Sequence, residues 1–547
     1  MMGETNPKEI IENIQKRISE EIEKKNRGEY TPVDYKGVKR ILDRLNARPR
    51  FIIELIQNAD DNNYDVSEPF LEIYIINYGE EGYPYCLWIL NNETGFKKEN
   101  VEKLCQFFGS TKRKVGFIGE FGVGFKSVFS ITNDPYIYSN GFSFKFHYEE
   151  KEPLTLIRPL WIEIPPEFVK REYTNIILPF SEENKKEVLN QVNQISSPLL
   201  LFLKNVKVIK VKDEITNENT HFKKEKKGNE ISVLHNGNEQ KWKVVKKQMT
   251  IPTELKDYLK NQMMKEVDID TTEIILAFPL ENNGNPKTSE EQFVFAFLPV
   301  RKYGFKFIIQ ADFLLTGGRE DIMKDSRWNT WLRNSIVDVF LDAVSEFKND
   351  EKLKYGFYDY LPLEKEEVKD DFFLPLVEQI YERLKEETCI LTKTNRWKKP
   401  SEVLIGDDEI KEIEIKEIVT NEDLQKFFGK EYLSDKIKAK KQVLQKLGVN
   451  DFSIDDLIKC LENKEWIKNQ NEEWFARLFK YLSKKKLSYE QLERLRSLEI
   501  IKLENGEFTS INEDTIFFPL EKKEVYGFES ELRVIKKGIM DIILKYE

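Results

Sequence analysis

A chain of 547 residues, 40% hydrophobic and 33% charged, suits three or four domains at roughly 150 residues each, and its apolar content excludes a disordered chain. Four scattered cysteines, no Cys-x-x-Cys pair and only three histidines argue against a disulfide scaffold, a zinc ribbon and a histidine-based nucleophile triad. The net charge of −10 disfavours a protein built mainly to coat nucleic acid.

Residues Met1 to Thr5 lead into mixed acidic and basic residues, unlike the apolar core of a signal peptide. The longest apolar runs, such as 293–300, fall short of the roughly 20 residues that a spanning helix needs. The expectation is a cytoplasmic protein with no membrane segment. Ile10, Ile11, Ile14, Ile18 and Ile22 recur at helical spacing and predict an amphipathic helix over about 7–27. A second helix is expected over about 48–62. Strands follow at 71–76, 85–90, 142–148, 160–164 and 175–178. Hairpin-like spacing among the strands, mixed with helices, favours an α+β sandwich over an alternating parallel sheet.

From about 197 the strands change character, with candidates at 206–211, 230–234, 241–245, 273–278, 292–298 and 306–310, then a helix over about 329–347. Residues 200–260 hold 14 lysines against 8 acidic residues. That bias leaves nucleic-acid contact open, although a solvated lysine-rich sheet edge has the same composition. Beyond about 364 helices dominate, for example at 375–387, 435–447 and 471–483. Residues 390–397 resemble 501–508, each reading as a polar-tipped hairpin that ends in an aromatic residue. Three regions result: 1–195, 196–350, and a mostly helical 351–547 with this weak hairpin repeat.

Four segments carry chemistry. In 51–62, Glu54, Asn58 and Asp61 fall at i, i+4 and i+7, on one helix face. Such oxygen donors suit a hydrated Mg²⁺, and Glu54 could activate a water; a solvated polar face has the same pattern. Asn92, Glu93 and Gly95 follow an apolar strand, where an acid and a close backbone approach could hold an exocyclic base amine, or form an ordinary turn. Gly119, Gly122 and Gly124 precede a helical pattern and could cradle phosphates. Phe125 separates Gly124 from Lys126, which breaks a P-loop, and Ser127 stands where the dinucleotide fingerprint needs glycine. Thr174 heads the strand 174–178, which by itself is only a strand.

In order and spacing these segments resemble the ATP site of the GHKL superfamily of gyrase, heat-shock chaperone, histidine kinase and MutL. Residues 55–62, 91–96, 110–112 and 121–129 look most like its sacsin and NO VEIN group; the resemblance is strong over about the first 180 residues and weaker through 310–313 and 319–322. It implies a Bergerat-type ATP-binding domain followed by a transducer-like α/β domain. It implies ATP and Mg²⁺ as cofactors, Asn58 on the metal, and Glu54 as the group that polarises the attacking water. Nucleotide contacts would come from Asp61, Asn92 or Glu93, Gly95, Thr174, a lid containing Ser110, Thr111 and Lys112, and the loop Gly119, Phe121, Gly122, Val123, Gly124 and Phe125. The superfamily's base-binding Asp is Glu93 here when aligned on Gly95, with Asn92 as rival occupant. The cation that the second domain supplies to the terminal phosphate would be Arg319 or Lys324, although Arg319 could equally pair with neighbouring acids. The expected function is a slowly hydrolysing ATP-driven switch in a chaperone-like or antiviral defence system, with a homodimer through the ATPase domain and a protein client. The alternatives are a non-hydrolysing nucleotide-sensing scaffold and a MutL-like DNA-processing subunit.

Overall fold

Leu71, Ile73 and Ile75 alternate along one strand with Glu72, Tyr74 and Ile76, and a period of two sends the two sets to opposite sheet faces. That strand, β1 (Phe70–Glu80), turns directly into β2 (Tyr83–Asn91), so that Ile73 lies opposite Ile89 and Tyr74 opposite Trp88. The structure, a computed structural model, describes residues 6–29, 51–106, 125–263, 270–316, 321–407, 414–512 and 535–536. The chain divides into two compact units, Met1–Ala343 with Pro362–Val377, and Val344–Leu361 with Glu378–Glu547.

The first unit is built on one 14-stranded sheet. Its remaining strands are β3 (Tyr136–Ser139), β4 (Phe142–Lys145), β5 (Leu160–Trp161), β6 (Thr174–Phe180), β7 (Val208–Asp213), β8 (Glu218–Lys227), β9 (Glu230–His235), β10 (Asn238–Thr250), β11 (Thr271–Leu280), β12 (Phe293–Ala296), β13 (Leu298–Lys302) and β14 (Ile308–Gln310). The spatial order is β13-β12-β14-β11-β10-β9-β8-β7-β1-β2-β6-β3-β4-β5. β1 with β7 and β12 with β14 are parallel pairs, and the other pairs are antiparallel. The class is therefore α+β with a large mixed sheet.

Helices cover one face of the β1-to-β5 half. Helix α1 (Pro7–Asn26) starts at Asn6, whose side chain accepts from the Lys8 amide, and buries its five isoleucines. Helix α2 (Phe51–Asp60) buries Phe51, Ile52, Ile53, Leu55, Ile56 and Ala59. Both pack on Leu71, Ile73, Ile75, Leu87, Ile89, Ile137 and Leu178. The other face carries a separate aromatic layer in which Tyr74 stacks on Trp88, with ring centroids 4.6 Å apart. Further along, α3 (Lys98–Leu104), α4 (Glu182–Val192), α5 (Ser197–Phe202) and α6 (Thr253–Met263) join the sheet, and α7 (Arg327–Phe347) follows it.

Several elements differ from the sequence reading. The single strand expected at 292–298 is two strands, β12 and β13, because Phe297 takes a left-handed φ of 64° between them. The helix expected at 435–447 begins only at Lys441, since 435–436 are spent in a turn that the Ile437 amide closes on Ser434 O at 3.0 Å. Strand β8 has no counterpart in that reading, because among its lysines only Phe222 marks a core position. In the second unit, Leu391 pairs with Trp397 as Lys502 pairs with Phe508. A returning segment docks on each of these hairpins, Ser434 N on Leu391 O and Lys536 N on Lys502 O, both at 3.0 Å.

Candidate nucleotide site

Helix α2 is fixed at its C-terminal end by Asp60. That buried carboxylate accepts the backbone amides of Lys204, Asn205 and Val206 at 2.7, 2.8 and 2.8 Å, and the Asn205 side chain returns to Asp60 O. This ties the helix to the start of β7. One turn and a half earlier, Glu54 is 7% exposed, on a helix that packs against the turn Phe125–Ser130. Asn58 is exposed and Asp61 half-buried. The polar stripe thus runs from the core to the surface, and Glu54 is not part of a solvated face.

Across the sheet, Asn91 lies opposite Thr174 in the β2–β6 register, on the helix-covered face. Two residues beyond Asn91, Glu93 is 9% exposed. Its Oε1 accepts from the Thr174 hydroxyl at 2.7 Å, and Thr174 Oγ1 lies 2.6 Å from Ser139 Oγ. Ser139 also accepts the Phe96 amide at 2.8 Å, which holds the Glu93–Phe96 turn against β3. Burial raises the Glu93 carboxyl above its usual range, and the Thr174 hydrogen bond opposes this. The loop after α2 reaches the same place. The Thr94 amide donates to Asn63 O, and the Tyr64 hydroxyl donates to Ala59 O. Burial first, then the charges of Glu93 and Asp60, push the Tyr64 hydroxyl up.

Asn92 behaves differently from Glu93. Its carbonyl accepts the Phe70 amide at 2.8 Å and its amide donates to Glu68 O, so it ties the end of β2 to the start of β1. Gly95 has φ of 88°, and a Cβ there would meet Asn140 Cβ at 2.6 Å, a contact glycine alone avoids. Phe125 opens the buried 3₁₀ turn Phe125–Ser130. The next residue, Lys126, is 2% exposed, donates to Leu104 O and lies 4.6 Å from the Phe146 ring centroid. Burial pulls its ammonium down to about 8.

Ser110, Thr111, Lys112, Gly119, Phe121, Gly122, Val123, Gly124 and Arg319 lie outside the described residues. Lys324 is described, and it is paired with Asp370 at 2.8 Å. Among the described residues no group of three His, Cys, Asp or Glu side chains could hold a metal. A cation here would rely on Asn58, on oxygen atoms of its neighbours, and on water and phosphate, as suits Mg²⁺. Asp60, Ser139, Tyr64 and Lys126 are the local residues the sequence reading missed. Asp60, beside Asp61 at the helix end, and Lys126, just past the glycine loop, carried a signal, whereas Ser139 belongs to no motif.

Among the described residues, no helix is long and apolar enough to cross a membrane. Residues 35–147 match the family model described as Sacsin domain. Over 516 residues, 85% of this chain, the sequence is 30% identical to Protein NO VEIN of Arabidopsis thaliana. The chain spans only 18% of that relative's length. With the α2 helix, the Glu93 turn and Phe125 all inside the matched segment, the chain is of the sacsin and NO VEIN type.

Proposed function

We propose that the first unit binds ATP with Mg²⁺ in a Bergerat-type site and hydrolyses it slowly, as a GHKL-type conformational switch. The observation that carries this reading is the Thr174–Glu93 hydrogen bond, set on the sheet face that the helix bearing the buried Glu54 covers. An acceptor carboxylate flanked by a hydroxyl, both withdrawn from water, presents the donor–acceptor pattern that a purine amine requires. Glu93 therefore reads the base, while Asn92 is spent on the β1–β2 junction. Asn58, exposed one turn beyond Glu54, faces where a hydrated cation and the phosphates would lie. Glu54, withdrawn from bulk water, orients the attacking water and takes its proton. When bound, Mg²⁺ neutralises phosphate charge. The relationship to NO VEIN and the Sacsin domain supports this reading, and it extends to a chaperone-like or defence role with a protein client, in the cytoplasm.

One observation favours a second reading. Lys324 is engaged with Asp370, so it is not poised as a cation for a terminal phosphate. A nucleotide-sensing scaffold without turnover needs no such cation. The two readings separate in one experiment: Mg-ATP binding by calorimetry beside phosphate release, for the native chain and for Glu54→Ala. Turnover that vanishes with binding retained supports the ATPase; binding without turnover in the native chain supports the scaffold.

A further inference from the structure

The lysines of β7, β8 and β10 fall into two sets. On the outward face several have a carboxylate: Lys212 with Glu214 at 3.4 Å, Lys223 with Glu68 at 3.0 Å and Lys241 with Glu239 at 3.2 Å. The alternation that points those side chains outward points Lys224 and Lys226 to the side of buried Phe222, and Lys246 to the side of buried Trp242 and Val244. There they meet the end of α5, which packs over β8 and β9. Lys224 Nζ donates to Leu203 O at 2.5 Å and Lys246 Nζ to Leu201 O at 3.5 Å. Lys204 and Lys207 lie on the segment that continues from those carbonyls, and the Lys224 amide donates to Lys207 O at 2.8 Å, so the two lysines face each other across the extended ladder.

None of these five lysines forms an ion pair with a carboxylate among the described residues. The nearby acids are committed elsewhere: Asp60 to three backbone amides, and Glu273 to Gln248 Nε2 at 2.7 Å. Like charges opposite one another in a ladder are destabilising, and the internal contacts of Lys207, Lys224 and Lys246 are to backbone carbonyls, which carry no full negative charge. Burial pulls the Lys224 ammonium down to about 8, Asp60 opposes, and Lys246, Lys226 and Lys207 pull it further down.

We propose that Lys204, Lys207, Lys224, Lys226 and Lys246 form a binding site for the phosphate backbone of a nucleic acid. Lysines act as point charges without the fork that reads a base or clamps one carboxylate, and residues 200–260 contain no arginine. The five lysines come from β8, from β10 and from the segment that leads into β7. That layout suits a chain of phosphates, bound without regard to sequence.

The test uses the full chain and the fluorescence anisotropy of a labelled single-stranded oligonucleotide and its duplex, titrated over a range of salt. Lys224→Gln with Lys226→Gln and Lys246→Gln should weaken binding at least about tenfold and reduce the log–log salt slope by about 2 to 3. Lys212→Gln with Lys223→Gln and Lys241→Gln should change neither. If the first variant fails to fold, the exposed pair Lys204→Gln and Lys226→Gln should still lower the slope by about 1.5. The proposal is overturned if the native chain binds neither oligonucleotide at low salt, or if both triple variants lose affinity alike. It is equally overturned if tripolyphosphate at matched phosphate concentration displaces the oligonucleotide fully, or if only anionic lipid vesicles bind.

Discussion

The Thr174 hydroxyl donates to the Glu93 carboxylate across 2.7 Å, joining the head of β6 to the turn after β2 on the helix-covered face of the sheet. Neither residue is adjacent to the other in sequence, and under the proposed function the pair marks where a base would sit. Glu93→Ala should abolish detectable ATP binding by calorimetry, and Thr174→Ala should weaken it about tenfold, the scale of one lost hydrogen bond to a charged group. Asn92→Ala should leave affinity within about twofold of native, because its bonds go to Phe70 and Glu68. Nucleotide loss in Asn92→Ala with retention in Glu93→Ala would reverse the assignment.

The same carboxylate makes a pH prediction. Its folded pKa is raised above the unfolded value, chiefly by burial. The folded chain therefore binds more protons than the unfolded chain just above the usual carboxylate range. The contribution to stability is full below the unfolded pKa and is lost as pH rises through the folded one. At neutral pH the charged Glu93 is a cost, so Glu93→Gln should raise the melting temperature of the nucleotide-free protein at pH 7 and change it little at pH 4. A lower melting temperature at pH 7 would contradict the burial argument.

Lys126 gives the opposite sign of slope. Its folded pKa is pulled down to about 8 from 10.5, first by burial. Between those values the unfolded chain binds more protons, so stability from this group rises as pH increases. Lys126→Met removes the buried ammonium and keeps the length of the side chain between the Phe125 and Phe146 rings. Denaturant melts should show the native chain gaining on the Met variant between pH 8 and pH 10.5, and a gap independent of pH would refute this.

For Glu54, substitution by alanine should lower ATP turnover by about 10²–10⁴-fold, the usual worth of a positioned general base. Binding of Mg-ATP should persist, whereas Asn58→Ala should weaken it. Unchanged phosphate release in Glu54→Ala would remove Glu54 from the chemistry. Lys324→Ala should be silent in the same assay, given its ion pair with Asp370; loss of turnover there would show that the pair opens to reach nucleotide.

Asp60 tests the frame and not the chemistry. Asp60→Ala leaves three backbone amides without their acceptor. At about 1.5–3 kcal/mol for each bond to a charged group, only part of which is recovered by water, the loss should exceed about 3 kcal/mol in urea unfolding. Asp60→Asn keeps an acceptor oxygen and should lose less.

Local pattern alone determined much of this protein. The isoleucine repeat of α1, the alternation along β1 and β2, and the Glu54–Asn58 spacing on α2 are short-range features, because helix and strand periods are properties of neighbouring residues. Even the matching hairpins at 390–398 and 501–509 could be read from composition, since each closes over a few residues. What the tertiary structure decided was which polar groups are buried and with whom. Asn92 and Glu93 are adjacent in sequence and equally plausible as turn residues. They part company only because β6 brings Thr174 to one, and the start of β1 brings Phe70 to the other. The lysine-rich β8 was invisible for a similar reason: a strand whose core side ends in ammonium groups carries no hydrophobic alternation. Its lysines acquire meaning only when α5, β7 and β10 gather them on one side of the sheet and leave their charges without carboxylates. Burial and charge pairing depend on contacts far apart in the chain, and sequence spacing cannot encode them.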